Sequence, residues 1–192
     1  MRLFGEHGYN EVTVAEIADA ADVSRATVFA YYPAKEDIVL GDAPQAIEAL
    51  RTALAAAGGQ VPVVETAREW LRTLVGWVEP DIVLQRRLAE EIPAVGAARA
   101  RVLRDIEAVI AEALAREVGC DGPLAPRLAA SALTSALAVA EHEAAQRMAD
   151  SGQALSDAEV DELLDAAVAF VDGGLARLQS TARESGARGG AV

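Results

Sequence analysis

The chain has 192 residues, of which 52% are hydrophobic and only 4% aromatic, and its formal net charge is −13. This length allows one or two domains with a sizeable core, and the alanine-rich composition favours closely packed helices over sheets. A lone cysteine excludes an intrachain disulfide framework, and the acidic balance argues against a generic nucleic-acid binder, which would be basic. Because no long uncharged apolar run and no signal pattern is present, we expect a cytoplasmic protein without a membrane span.

Two short helical patterns joined by a tight turn occupy residues 13–32, which read TVAEIADAADVSRATVFAYY. Thr13 and Glu16 fit a capping box at the start of the first helix, and Ser24 is placed to cap the second. Pro33 ends the second helix, because proline interrupts helical hydrogen bonding. Two helices with so abrupt a connection predict a helix-turn-helix, whose second helix can enter the major groove of DNA. The spacing alone leaves a plain helical hairpin equally open.

A longer pattern of residues at fixed spacing surrounds this motif and extends over residues 3–40. Its members are Leu3-Phe4, Gly8-Tyr9, Thr13-Val14, Ile17-Ala18, Ala21, Val23-Ser24-Arg25, Thr27, Phe29, Tyr31-Tyr32-Pro33 and Lys35-Glu36. Together these residues resemble the DNA-binding domain of the TetR family of transcriptional regulators. The resemblance implies an all-α fold, with a three-helix helix-turn-helix domain at residues 1–42 and a helical ligand-binding and dimerisation domain at residues 43–180. We expect a disordered tail at residues 181–192. Met1 falls inside the family's first helix, so either that helix is shortened or the start has been assigned too late.

The resemblance implies that the second helix of the motif contacts operator DNA. Arg25 is the expected base contact, since a guanidinium can bond bidentately to guanine O6 and N7. Hydroxyl groups on both helices are expected to hold phosphates, and Lys35 is either a further phosphate contact or an ordinary surface lysine. Ala30 stands where the family often has a basic or aromatic residue, which reduces the contacts available. The predicted DNA-binding residues are Thr13, Val14, Ser24, Arg25, Ala26, Thr27, Tyr31 and Lys35.

The charge of residues 1–42 conflicts with DNA binding. This stretch has three basic and eight acidic residues, a net charge of −5. If it binds DNA, it depends on a few well-placed cations, doubled in a dimer. The alternative hypothesis is a helical dimer that senses a ligand or binds a protein without binding DNA.

Beyond residue 42 the apolar periodicity predicts only helices, which end at glycines and prolines. The two longest, at about 123–151 and 156–180, contain small residues that permit close approach and predict a four-helix bundle between two copies. The alternative is that these residues pack only within their own chain. They are Ala129, Ala130, Ala132, Ala136, Ala138, Ala140, Ala144 and Ala145.

The resemblance also implies an effector pocket in the second half of the chain. Its expected walls, together with one titratable contact, are Trp70, Leu71, Leu74, Trp77, Val102, Leu103, Ile106, Leu137 and His142. The aromatic residues are otherwise core residues, and His142 otherwise lies on the surface or at an interface. The run from Lys35 to Asp42 is most similar to the MftR-like group, which implies an acyl-CoA-like ligand. An anionic thioester needs basic contacts, for which Arg86, Arg87, Arg99, Arg101 and Arg104 are available.

No pattern in the sequence predicts catalysis, a cofactor or a metal site. A glycine-rich phosphate loop and a nucleophile elbow are both missing, and Gln146 stands where the zinc pattern H-E-x-x-H needs its second histidine after His142. We therefore expect a homodimeric transcriptional repressor, not an enzyme. A small apolar or amphipathic effector is expected to release it from double-stranded operator DNA.

Overall fold

The computed structural model describes residues 1–78, 81–118 and 124–189, and every regular element within these ranges is an α-helix. In chain order they are α1 (Arg2–His7), α2 (Val14–Ala20), α3 (Arg25–Tyr31), α4 (Lys35–Val39), α5 (Ala43–Ala57), α6 (Val63–Val78), α7 (Ile82–Glu91), α8 (Pro93–Val118), α9 (Leu124–Ser151) and α10 (Asp157–Gly189). The predicted all-α fold class is confirmed. None of these helices is both long enough and apolar enough to span a membrane.

Local hydrogen bonds fix the starts of the short amino-terminal helices. The backbone N–H of Thr13 donates to Glu16 Oε2 at 2.7 Å, and the Glu16 N–H donates back to Thr13 Oγ1 at 3.2 Å. The N–H of Thr27 donates to Ser24 Oγ at 3.0 Å. The predicted capping box and the predicted N-cap are both confirmed.

Residues 1–42, which we refer to as the amino-terminal domain, share their core with the second half of the chain. Phe4, Val12 and Val39 are buried together with Leu88 of α7 and Val95 of α8. The start of α8 also packs against α4, and Arg101 Nη2 donates to Asp37 Oδ1 at 3.3 Å across that contact. We call the junction of α7 and α8, from Leu88 to Val95, the α7–α8 elbow. It completes the core of the amino-terminal domain.

A larger core holds the second half together. It lies between α5, α6, α8, α9 and α10, and its most deeply buried large side chains are Leu50, Ile110, Leu114 and Leu133. Four of the alanines that we predicted at a dimer interface are buried within the chain itself: Ala129, Ala130, Ala140 and Ala145. Small side chains at these positions allow α9 to pack closely between α8 and α10.

The last helix is longer than the sequence predicts. Its helical backbone continues to Gly189, past residue 180, where we expected a disordered tail to begin. Ala182, Arg183 and Glu184 are good helix formers and no proline interrupts this stretch, which accounts for the continuation. Residues 190–192 lie outside the described part of the chain.

Candidate DNA interface and effector cleft

The turn between α2 and α3 is made by a residue in the left-handed region. Asp22 has φ 54°, and the N–H of the following Val23 donates to the Ala18 carbonyl at 3.0 Å, five residues back. This hydrogen bond is typical of a Schellman helix end, which usually has glycine at the left-handed position. The abrupt connection that a helix-turn-helix requires is therefore formed, with an aspartate in a conformation that glycine adopts more easily.

Helix α3 presents nearly all of its side chains to solvent. Val28 is its buried residue, whereas Arg25, Ala26 and Thr27 are exposed and Tyr31 is 71% exposed. Tyr31, three residues after Val28, does not share its burial. With only one side chain in the core, α3 is free to enter a groove.

The three basic residues of the amino-terminal domain have different surroundings. Arg2 pairs with Glu6 of its own helix at 3.1 Å. Lys35 is half-buried, donates from Nζ to the Tyr9 carbonyl and lies 4.3 Å from the centre of the Tyr9 ring. Arg25 makes no hydrogen bond or ion pair with the described residues. Lys35 therefore anchors α4 to the α1–α2 loop, and its predicted phosphate contact has to coexist with that role.

The hydroxyl groups predicted to hold phosphates are mostly used in helix caps. Thr13 Oγ1 donates to Glu16 Oε2 at 2.8 Å, and Ser24 Oγ lies 2.8 Å from Thr27 Oγ1. The Thr13 backbone N–H lowers the pKa of Glu16 and so favours the charged carboxylate at the start of α2. Of the other predicted contacts, Val14 is half-buried and offers no side-chain polar atom. Tyr31 offers a hydroxyl with no hydrogen bond to the described residues.

Two exposed residues of α3, Phe29 and Ala30, are absent from our predicted contacts. Phe29 is 43% exposed and follows Arg25 by one helical turn. No local sequence signal identifies its exposure, because an aromatic residue next to Val28 in a short helix is equally compatible with the core.

A cleft lies between α7 and α8, with a volume of about 220 Å³. Its walls are Arg86, Ala89, Glu90, Gly96, Arg99, Ala100 and Leu103. A Cβ atom at Gly96 would lie 2.7 Å from the Ala89 carbonyl oxygen, so only glycine permits this approach of the two helices. We call this site the α7–α8 cleft.

Two half-buried guanidinium groups line the α7–α8 cleft and are held by side chains of α9. Arg99 Nη2 donates to Glu141 Oε2 at 2.6 Å, and Arg86 Nη2 donates to His142 Nδ1 at 2.7 Å. Arg86 also lies 3.5 Å from Glu90 Oε1. The cations are thus positioned by carboxylates that a bound anion could replace.

The predicted pocket residues are divided between this cleft and the core. Leu103 lines the cleft, and His142 reaches it through Arg86. Trp70 is buried in the core and donates from Nε1 to the Ala46 carbonyl at 2.8 Å, and Leu137 is buried in the same core. The remaining predicted walls are either half-buried (Leu71, Val102 and Ile106) or have side chains outside the described part of the structure (Leu74 and Trp77).

Comparisons with known proteins match both halves of the chain. Residues 1–41 match the family described as bacterial regulatory proteins, tetR family. The mycofactocin biosynthesis transcriptional regulator MftR of Mycobacterium tuberculosis is 28% identical over 122 residues, and the match spans 62% of this chain and 62% of that relative.

Two solved structures have a similar fold. FadR of Thermus thermophilus, a TetR family repressor in complex with lauroyl-CoA, is 27% identical, with a TM-score of 0.59 over 89% of this chain and 88% of that one. A TetR-family regulator from Mesorhizobium loti is 23% identical, also with a TM-score of 0.59, over 88% of this chain and 89% of that one.

Proposed function

We propose that the chain, whose residues 1–41 match the tetR family of bacterial regulatory proteins, is a homodimeric TetR-type repressor whose effector is an acyl thioester. In this proposal α3 binds operator DNA in the major groove, and the effector binds at the α7–α8 cleft. Binding of the effector then releases the DNA.

The DNA-binding part of the proposal is supported by the exposure of α3. Arg25 is its cation without a partner among the described residues, and it stands at the amino-terminal end of α3, from which recognition helices reach base edges. A guanidinium there can bond to guanine O6 and N7. Tyr31, at the other end of the helix, offers its hydroxyl to a phosphate.

The effector part is supported by the charges of the α7–α8 cleft. Arg86 and Arg99 suit the phosphates of a coenzyme A thioester, since guanidinium groups bind phosphate oxygens bidentately. Leu103 gives the same cleft an apolar wall. The similar FadR structure was solved with lauroyl-CoA, which is therefore the probe that we select.

The observation that carries the proposal is the position of α7 between the two sites. Arg86 of this helix lines the cleft, while Leu88, two residues later, lies in the core of the amino-terminal domain. A ligand that displaces α7 therefore disturbs the packing of Phe4 and Val39 directly. Because Ile17 of α2 packs against the same core, the orientation of the helix-turn-helix changes with it, and so does DNA affinity.

Dimerisation is supported by large apolar side chains left on the surface of the last two helices. Val139 of α9 is 68% exposed, and Phe170 of α10 is 72% exposed. Such residues are typical of an interface with another chain. Two helices from each copy would form a four-helix bundle.

The test begins with a selection of binding sites from random double-stranded DNA by the full-length chain. Fluorescence anisotropy of an enriched sequence is then followed during a titration with lauroyl-CoA. We expect a palindromic sequence and a fall in DNA affinity with ligand. Failure to enrich any sequence would favour the alternative of a ligand-sensing helical dimer that does not bind DNA.

Two neighbouring arginines provide the matched variants for the effector site. Arg86→Gln removes a cleft guanidinium and is expected to weaken the response to lauroyl-CoA. Arg87→Gln changes the next residue, which is exposed and lies outside the cleft wall, and should leave the response unchanged. If lauroyl-CoA neither releases the enriched DNA nor shifts the melting temperature of the protein, an acyl thioester is not the effector. The DNA-binding function would be unaffected by that result.

A further inference from the structure

The outward face of α3 is apolar at its centre. In a helix each residue advances by about 100°, so Ala26 and Ala30 lie on the side opposite the buried Val28. Phe29 stands beside Ala30 and is 43% exposed. The part of α3 that projects furthest from the amino-terminal domain therefore carries the methyl groups of Ala26 and Ala30, with the Phe29 ring on one side and the exposed Thr27 on the other.

This face suits one base in particular. Thymine presents its C5-methyl group in the major groove, where alanine and phenylalanine side chains make apolar contacts with it. The other bases present mainly donors and acceptors there, and an apolar face would remove water from them without replacing the hydrogen bonds. This apolar face of α3 thus discriminates by burying methyl groups, in addition to the hydrogen bonds proposed for Arg25.

We propose that Phe29, with Ala26 and Ala30, is a specificity-determining residue that reads thymine methyl groups in each operator half-site. This inference rests on the proposed DNA-binding function. Phe29 follows Arg25 by four residues, about 6 Å along the helix axis. The thymine is therefore expected close to the guanine bound by Arg25, within the same half-site.

The first test uses the unmodified full-length chain and the enriched operator. Each thymine is replaced in turn by uracil, which removes only the C5-methyl group. Loss of one buried methyl corresponds to about a fourfold loss of affinity, and we expect it at one or two symmetry-related thymines in each half-site. Equal affinity for every thymine–uracil pair would overturn the inference and leave the DNA-binding function in place.

The second test assigns the methyl contact to Phe29. In Phe29→Ala the sensitive thymine and uracil operators should bind with equal affinity. Val61→Ala, which shortens another 43% exposed apolar side chain outside the amino-terminal domain, should retain the difference. Because each ratio compares two DNAs on the same protein sample, a loss of folded protein cancels. An undiminished ratio in Phe29→Ala would overturn the role of this residue.

Discussion

The amino-terminal domain and the second half of the chain achieve their stability in different ways. The helices α1 to α4 have five to seven residues each, whereas α8 has 26 and α9 has 28. Helices shorter than about 12 residues are marginal on their own, so the amino-terminal domain depends on helix caps and on the α7–α8 elbow. The long helices instead share one large apolar core. The difference indicates why a ligand at the elbow can affect the domain that binds DNA.

The largest expected effect comes from removing the shared contact. Leu88→Ala should lower the free energy of unfolding by about 2–5 kcal/mol, as for other buried leucines. Urea denaturation measures the loss, and hydrogen exchange should show its strongest effect in α1 and α4. Val61→Ala, at an exposed position between α5 and α6, is the control, with a change within about 0.5 kcal/mol. Hydrogen exchange that increases only in α9 and α10 would show that Leu88 does not support the amino-terminal domain.

A second prediction concerns the cation on which DNA binding depends. Arg25→Ala should cost about 1–3 kcal/mol of specific binding, because it removes a base contact that no neighbouring cation replaces. Anisotropy with the enriched operator measures this loss. Arg2→Ala, which breaks an exposed pair with Glu6, serves as the control and should leave DNA affinity unchanged. An equal effect of the two substitutions would argue against a base contact for Arg25.

A third prediction uses the left-handed residue in the turn. Asp22→Gly should stabilise the chain by about 1 kcal/mol, since glycine adopts positive φ without the cost that a side chain incurs. The same substitution three residues earlier, Asp19→Gly, lies within α2 and should destabilise by about 1 kcal/mol. Thermal denaturation distinguishes the two signs. Destabilisation by both substitutions would indicate that the Asp22 side chain supports the turn.

The smallest expected effect is the pH dependence of the stability that the helix caps contribute. Hydrogen bonds from Thr13 lower the pKa of Glu16, and those from Ser156 lower the pKa of Glu159. A carboxyl with a lowered pKa stabilises the fold above its unfolded pKa, and this stability is lost as the pH falls through its folded pKa. Thermal denaturation between neutral and acidic pH should therefore show a smaller acid loss in Glu16→Gln than in the unmodified chain. An unchanged pH profile in this variant would contradict the contribution of the Glu16 cap.

Local signals explain what the sequence predicts correctly. The caps at Thr13 and Ser24 involve residues three apart, and the helix ends follow glycines and prolines, so both are visible without tertiary structure. The core role of Trp70 and the engagement of Lys35 by Tyr9 depend on distant segments, which no local pattern specifies.

The α7–α8 cleft was harder to anticipate for the same reason. Arg86 and Arg99 are candidate anion contacts in the sequence, but only packing against α9 brings Glu141 and His142 to them. Gly96 permits the close approach of α7 and α8. A glycine within a long helix gives no local sequence signal for such a contact. The exposure of Phe29 likewise depends on how few residues of α3 face the core.

Calorimetry is the most direct measurement of the coupling between the α7–α8 cleft and the amino-terminal domain. The dissociation constant of lauroyl-CoA is measured for the full-length chain alone and with saturating enriched operator. Because coupling free energies are reciprocal, operator should weaken lauroyl-CoA binding by the same factor by which lauroyl-CoA weakens operator binding. Equal lauroyl-CoA affinities with and without operator would show that the α7–α8 cleft and the DNA-binding surface are not coupled.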